Sequence, residues 1–511
     1  MLFIKMIIAL LPIIWLVIAL CGIKMEAYKA SIGALVVAFV VGLFFKHMTL
    51  VNAGSAALEG FAMAIWPIVI VIIAAVFTYN LTVHTKAMDT IKRMITSVSC
   101  DSRVLVLLIG WCFGGFLEGM AGFGVAIAIP ASMLFALGFN PVTAILSCLI
   151  ANGCPTMFGS IGIPTTTLAN VTGLDAAQLA FTQTLQVAPL LFICPFLMVM
   201  LVSGGIKGLK GMIPLTLVAS LSFVIPEIIA AKFIGADLPV IVAAVCSLIC
   251  TFLFASREKA VPEEYAMKIE HDNNEKISVN SALRAWSPFI LIFVILLLTS
   301  KLVPFIHDPL SAIASTVNIY QGNPEATLTF FWINTPGVLI LLCGLIGGLI
   351  QKCPFNEMMG VLWATVKQMS KTIATMLGVL GCAKIMGYSG MIGDIATFFV
   401  AALGGLYPLV APLLGAIGTF VTGSGTSSEV LFGNVQLEAA KSIGCDPYWL
   451  VAANSLGTSA GKMLAPQSIA IGTAACALSG KDGEILGKIF KYSLCFVLAM
   501  AAICYLGSII L

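Results

Sequence analysis

Gly114-Gly115-Phe116-Leu117-Glu118-Gly119, followed downstream by Ala151-Asn152, Gly159 and Pro164, has a counterpart about 300 residues later. That counterpart reads Gly418-Thr419-Phe420-Val421-Thr422-Gly423, then Ala453-Asn454, Gly461 and Pro466. Both copies obey Gly-x-Phe-x-x-Gly and then Ala-Asn-x6-Gly-x4-Pro, and the gaps between the two pieces differ by only two residues. Each copy lies in sequence apolar enough to sit in a membrane. A duplicated, glycine-broken, nearly uncharged segment suits a secondary transporter, whose paired interrupted helices offer backbone groups to a solute at the bilayer midplane.

The 511-residue chain around these copies is 60% hydrophobic and 10% charged, with a mean hydropathy of +1.08. A water-soluble domain cannot reach those values and still cover its surface. Apolar runs near 6–23, 30–46, 61–83, 185–203, 213–231, 237–255, 286–303, 335–351 and 488–510 each approach the ~20 residues that span a bilayer core. Together with the segments inside the repeats they predict an all-α polytopic membrane protein of about 12–16 membrane segments, with two inverted repeats containing broken helices or re-entrant hairpins. Residues 6–23 follow Lys5 but lack a small-residue cleavage site before Lys24, so they are expected as the first transmembrane helix and not as a signal peptide. Cys112, Cys148, Cys194, Cys246, Cys382, Cys476 and Cys495 sit in apolar runs without CxxC spacing, which fits small buried side chains better than disulfides or metal ligands.

Charge orders the loops. Lys24, Lys29, Lys86, Lys92, Arg93, Arg103, Lys207, Lys210, the stretch 256–284, Lys352, Lys367 and Lys371 carry most of the basic residues, and 304–334 carries none. The positive-inside rule places the first group in the cytoplasm and 304–334 outside, with an external N-terminus. The net charge of +3 is modest and points to topology, not to nucleic acid. Mixed charge without an apolar period makes 256–284 a solvated cytoplasmic linker between an N-terminal half (1–255, first repeat about 61–170) and a C-terminal half (285–511, second repeat about 368–475). An odd number of crossings between the starts of the repeats, about nine, inverts one relative to the other. The length and glycine content of 121–138 and 426–443 allow either full crossings or hairpins.

Charged residues are sparse inside the repeats. Glu118 is alone between Val104 and Leu174, Glu429 between Ile395 and Leu437, and Lys462 between Pro447 and Gly480. An ionisable group in the bilayer costs at least about 2.5 kcal/mol, so these three are expected around an internal hydrated site, although snorkelling or structural pairing are the plain alternatives. Gly122 and Gly124 in the first copy and Gly423 and Gly425 in the second let backbone approach a solute; packing of helices is their structural alternative. Thr426, Ser427 and Ser428 precede an apolar helix, where N-cap residues are found and where free N–H groups attract an anion. Asn152 and Asn454, with Pro164 and Pro466 and with Gln467 and Ser468 behind the latter, supply amides, hydroxyls and freed carbonyls. Such a cavity suits a small, polar, anionic solute. Lys462 with the three hydroxyls is expected to hold its carboxylate, and Glu118, with Glu429 as rival, to couple a proton. Gly119 to Gly124 is no nucleotide fingerprint, because no strand precedes it.

Phe113 to Gly124, Phe420 to Ser428, and Gly461-Lys462-Met463-Leu464-Ala465-Pro466-Gln467-Ser468-Ile469-Ala470-Ile471 closely resemble the signature segments of the bacterial lactate permease family. The similarity runs in order from Trp66-Pro67 to the C-terminal span. It implies a proton-coupled carrier of lactate and related 2-hydroxymonocarboxylates such as glycolate, in the bacterial cytoplasmic (inner) membrane, and kinship with the inverted-repeat carriers of the ion transporter superfamily. In one respect the chain departs from the family pattern: members commonly carry an uncharged residue where Glu429 stands and an Asp near Gly425.

The partners expected are therefore a small carboxylate, a proton and the lipid bilayer, with no cofactor and no metal. The competing class nearest to this is a sodium-coupled organic anion carrier, in which freed carbonyls and hydroxyls bind Na⁺. A membrane enzyme is disfavoured because His47, His84, His271 and His307 lie at span ends or in loops, with no HExxH and no Ser-His-Asp grouping in the motifs. Duplicated breaks also fit alternating access better than a channel's continuous pore.

Overall fold

A chain this apolar satisfies its backbone N–H and C=O groups within each segment, which in a bilayer means helix. The structure, a computed structural model, describes residues 2–19, 23, 25–122, 124–257, 261–267, 278–300, 302–478 and 481–510. Lys24 and part of the linker expected at 256–284, namely 258–260 and 268–277, lie outside the described residues, as does Phe123 of the first glycine motif. The described chain is nearly all helical. Nine of its helices are long and apolar enough to cross a membrane, ten if Phe355–Gln368 and Ser370–Tyr388, bent by 48°, count as one span; four shorter apolar helices stand beside them. Large apolar side chains such as Val36, Val40, Phe44, Ile225, Ile229, Leu498 and Leu506 face outward, whereas Glu118, Asn152, Glu429 and Asn454 are buried. That inversion of the soluble pattern marks a multi-pass membrane protein.

The helices that build the site are labelled in chain order: α1 Ser102–Met120, α2 Val125–Ala136, α3 Pro141–Gly153, α4 Gly159–Thr172, α5 Ala176–Val202, α6 Ile213–Phe233, α7 Pro239–Ala255, α8 Tyr407–Thr422, α9 Gly425–Ile443, α10 Pro447–Leu464 and α11 Pro466–Ala475. Helix α2, with 12 residues, is about 18 Å long and too short for a ~30 Å hydrocarbon core. It packs back on α3 as a hairpin arm. The 19-residue α9 is about 28 Å long, close to a full crossing. Both hairpin returns start the same way: Asn140 caps α3 by accepting from the Val142 and Thr143 N–H groups, Asp446 caps α10 by accepting from Trp449 N–H, and each is followed by proline at the first helical position. Proline there has no N–H to lose.

The breaks are where the sequence places them. Helix α8 ends at Gly423, whose φ of +70° is open to glycine at little cost, and Ser424 starts α9 by accepting from Ser427 N–H at 3.3 Å. After α3 the chain makes a 3₁₀ turn, Cys154–Phe158, and then three consecutive left-handed residues, Ser160, Ile161 and Gly162. A side chain at Gly162 would collide with the Ala236 carbonyl, so close approach of the α6–α7 loop holds this break in place.

Arg103, expected only as a topological charge, does more. It is 3% exposed, pairs with Asp101 at 2.7 Å, donates to the Gly208 and Lys210 carbonyls, and stacks its guanidinium 3.9 Å over Tyr265. The start of α1, the α5–α6 loop and the described end of the linker are thereby tied together. Ala314–Val317 and Leu328–Phe331 form an antiparallel hairpin, with Ala314 opposite Phe331. Tyr320 from this hairpin stacks on Tyr388 at 3.7 Å, and Gln321 N–H donates to Ser55.

Candidate functional site

Each repeat contributes a carboxyl held by its own asparagine. Asn152 on α3 donates Nδ2–H to Glu118 Oε2 at 2.6 Å, and Asn454 on α10 donates to Glu429 Oε2 at 2.8 Å. All four residues are at most 3% exposed. Asn152 Oδ1, Glu429 Oε1 and Ser427 Oγ are buried without a hydrogen-bond partner, which leaves acceptor capacity at the centre of the molecule.

Between the two repeats lies a cavity of about 440 Å³. Its inner wall includes Glu118, Gly122, Gly124, Thr156, Gly159 and Ser160 from the first copy, and Thr422, Gly423, Ser424, Gly425, Thr426, Lys462, Gln467 and Ser468 from the second. Glu26, Tyr28 and Lys371 line it farther out, where Lys371 pairs with Glu26 and Lys29 stands 3.3 Å from the same carboxylate. Those two ammonium groups hold the Glu26 carboxyl below its usual range.

Lys462 occupies the last turn of α10, an end that favours a cation. It is 9% exposed, donates from Nζ to the Gly423 carbonyl at 3.1 Å, and interacts electrostatically with Glu118. The N-terminal residues Gly425 and Thr426 of α9 line the same cavity, so the lysine and the free N–H groups of a helix start share one wall. Small anions are bound by such a combination.

Of the residues expected around a solute, Lys462, Thr426, Gly122, Gly124, Gly423, Gly425, Gln467, Ser468 and Glu118 line the cavity. Asn152 and Asn454 lie behind it, on the carboxylates. Ser427 and Ser428 do not line it: Ser428 Oγ donates to the Gly415 carbonyl at 2.8 Å, and Ser427 is fully buried. Consecutive helical residues point about 100° apart, so three hydroxyls in a row cannot share one face. Glu429 is likewise fully buried behind the wall. Sequence reasoning missed Thr156 and Ser160, which ordinary apolar context hides, and Glu59, whose carboxylate meets Lys384 at 2.8 Å and Tyr388 OH at 2.8 Å. His84, Cys353 and Glu357 hold ligand-type atoms within 4.8 Å of one another, but none lines the cavity.

The family model described as L-lactate permease matches residues 5–511. An L-lactate permease of Streptococcus iniae is 41% identical over 87% of this chain and 93% of its own length. The glycolate permease GlcA of Escherichia coli (strain K12) is 32% identical over 98% of this chain and 95% of its own. Among solved structures, Neisseria gonorrhoeae MtrF, described within a class of antimetabolite efflux pumps, covers 95% of this chain and 94% of its own at 15% identity and a TM-score of 0.49.

Proposed function

Because the chain belongs to the L-lactate permease family, we propose that it carries lactate and related small 2-hydroxymonocarboxylates, glycolate among them, across the bacterial cytoplasmic membrane by proton symport with alternating access. The observation that carries this reading is that Lys462 and Glu118 line one cavity and interact electrostatically there. The substrate carboxylate takes the Lys462 ammonium and the α9 N-terminus at Gly425 and Thr426. Thr156, Ser160, Gln467 and Ser468 remain for the 2-hydroxyl.

Coupling follows from charge balance. The empty site holds Lys462⁺ and Glu118⁻; the fully loaded site holds Lys462⁺, the substrate anion and a protonated Glu118. Both are neutral. A site with substrate but no proton carries an uncompensated negative charge, which is costly to bury, so the carrier reorients only empty or doubly loaded. With the basic loops in the cytoplasm, the mouth at Glu26 and Lys371 opens inward. Shared Asn-to-Pro spacing and the two asparagine–carboxylate pairs support an inverted relation between the repeats.

Sodium coupling is favoured by one observation, the unpartnered oxygens of Asn152, Ser427 and Glu429, which are hard ligands. Uptake into proteoliposomes under separately imposed gradients tests both. An inward proton gradient is expected to drive lactate accumulation in the wild type with no response to Na⁺. Glu118→Gln should lose that accumulation while keeping lactate–lactate exchange. Na⁺-driven accumulation indifferent to pH rejects proton symport, and undiminished pH-driven accumulation in Glu118→Gln moves the role to Glu429.

A further inference from the structure

Glu227 is a buried carboxyl that does not line the central cavity. It sits in α6, is 0% exposed, and neither carboxylate oxygen has a hydrogen-bond partner. Among the described residues its surroundings offer no counter-charge: Lys232, on the same helix, is exposed and stands over the Phe181 and Phe233 rings. The helices packed on α6, namely α5 and α7, and the Val106–Phe113 part of α1 contain no Asp, Glu, Lys, Arg or His. Their titratable groups are the thiols of Cys112, Cys194, Cys246 and Cys250, joined by Cys154 of the 3₁₀ turn. Cys154 interacts electrostatically with Glu227 and lies 3.4 Å from Cys194. An ionised carboxylate in such a place has no donor and no cation, so burying it as an anion is costly. A leucine would fill the site at far lower cost if filling were its only task.

The position of Glu227 gives the proton two places to go. On one side, Cys154 follows the pair Asn152–Glu118 by two residues and belongs to the same turn as Thr156, which lines the central cavity. On the other, α6 ends six residues later, about 9 Å along the axis. The loop that follows lines a separate cavity of about 190 Å³ with Asp237, His307, Asn334 and Thr299. Enclosure by the protein pushes the Asp237 carboxyl up to about 6, and the α4 break at Gly162 rests on this same loop. The first repeat's break lies between the two cavities, and Glu227 interacts with Cys154 in the turn that opens it.

We propose that Glu227 is a proton-carrying residue of the transport cycle, exchanging its proton through the cavity lined by Asp237 and His307, on the face opposite the central cavity's mouth. The proposal rests on the proton-symport reading of the central site. No bond other than O–H is made or broken: the carboxylate takes one proton from hydronium in that cavity, leaving water, and releases it to water in the central cavity after the break has moved.

The test uses the full-length protein in proteoliposomes with an internal pH dye, comparing wild type, Glu227→Gln and Glu227→Asp. The nearly isosteric Gln should lower pH-driven lactate accumulation by about tenfold or more while lactate–lactate exchange stays within about twofold. Asp, which retains a carboxyl, should keep accumulation and shift its pH profile. Accumulation in Glu227→Gln equal to wild type overturns the proposal. So does loss of both accumulation and exchange in Gln and Asp alike, which is what a packing role gives. Absence of pH-driven uptake in the wild type rejects the central proton reading and this one together, whereas an uncoupled Glu118→Gln beside a fully coupled Glu227→Gln rejects this one alone.

Discussion

The two repeats hold the same asparagine–carboxyl pair on opposite sides of a chain break. In the first, Glu118 precedes the break, at the end of α1; in the second, Glu429 follows it, in the first turns of α9. The position equivalent to Glu118 is Thr422, whose hydroxyl is engaged locally with the Gly418 carbonyl and the Ser424 N–H. Only the first acid therefore reaches the cavity and Lys462. Of the two motif acids, Glu118 alone lines the cavity, where it stands with the buried Lys462.

Glycines tell the same story. Gly119 remains helical and lets α1 approach α7, where an added Cβ would lie 2.9 Å from Ile241, while its equivalent Gly423 is the break itself. Gly159 borders the site, with Glu118 Oε1 2.5 Å from where a Cβ would stand, while its equivalent Gly461 lies against the Ala416 backbone. Shared motif residues thus border the cavity in one copy and pack helices in the other.

The comparison breaks hardest at Lys462. Removing one partner of a buried charge pair costs about 3–5 kcal/mol, so Lys462→Ala should cut lactate uptake by at least ~100-fold in correctly inserted protein. If the lysine serves only to neutralise Glu118, Lys462→Met combined with Glu118→Gln will recover substrate exchange; if it binds substrate, the double variant stays dead. Unchanged affinity and rate in Lys462→Ala would refute the assignment.

A smaller effect separates the paired glycines. Gly461→Ala drives a methyl into backbone and should destabilise the purified protein by about 1–3 kcal/mol, seen as a lower melting temperature with KM unchanged in the folded fraction. Gly159→Ala meets the end of a flexible side chain at an ordinary φ of −60°, and should leave melting intact while altering the pH dependence of uptake through Glu118. Equal melting temperatures for the two variants would erase the distinction drawn between the copies.

The smallest effects concern the hydroxyl run. Losing one neutral hydrogen bond is worth about 1 kcal/mol, so Thr426→Ala should raise the lactate KM roughly fivefold, while Ser428→Ala, whose hydroxyl is spent on Gly415, should change stability and not KM. Titrating uptake rate against lactate for both variants decides between them.

Much of this was legible beforehand because apolar runs and isolated charges are local signals. The spans, the breaks at Gly423 and near Gly159, and the cavity positions of Glu118, Thr426 and Lys462 follow from such patterns. The half-length of α2 does not, since Val125 to Leu137 is as apolar as any span and only the chain reversal at Asn140-Pro141 shortens it. Of the Thr426–Ser428 run expected to face a solute, only Thr426 lines the cavity, because composition carries no helical phase. Glu227 escaped notice as one acid inside a long apolar run; its meaning lies in the absence of partners, which only the packed structure displays.

The outer hairpin and Glu59 together constrain how such a carrier can rearrange. Glu59 and Ser55 belong to Leu50–Met63, while Lys384 and Tyr388 belong to Ser370–Tyr388; an ion pair, a hydrogen bond and the Tyr320 stack clamp the two helices to each other and to the hairpin. Clamped elements travel as one rigid body. Under the alternating access proposed above, this assembly is the stationary frame and the half-helices around the cavity are the displaced piece.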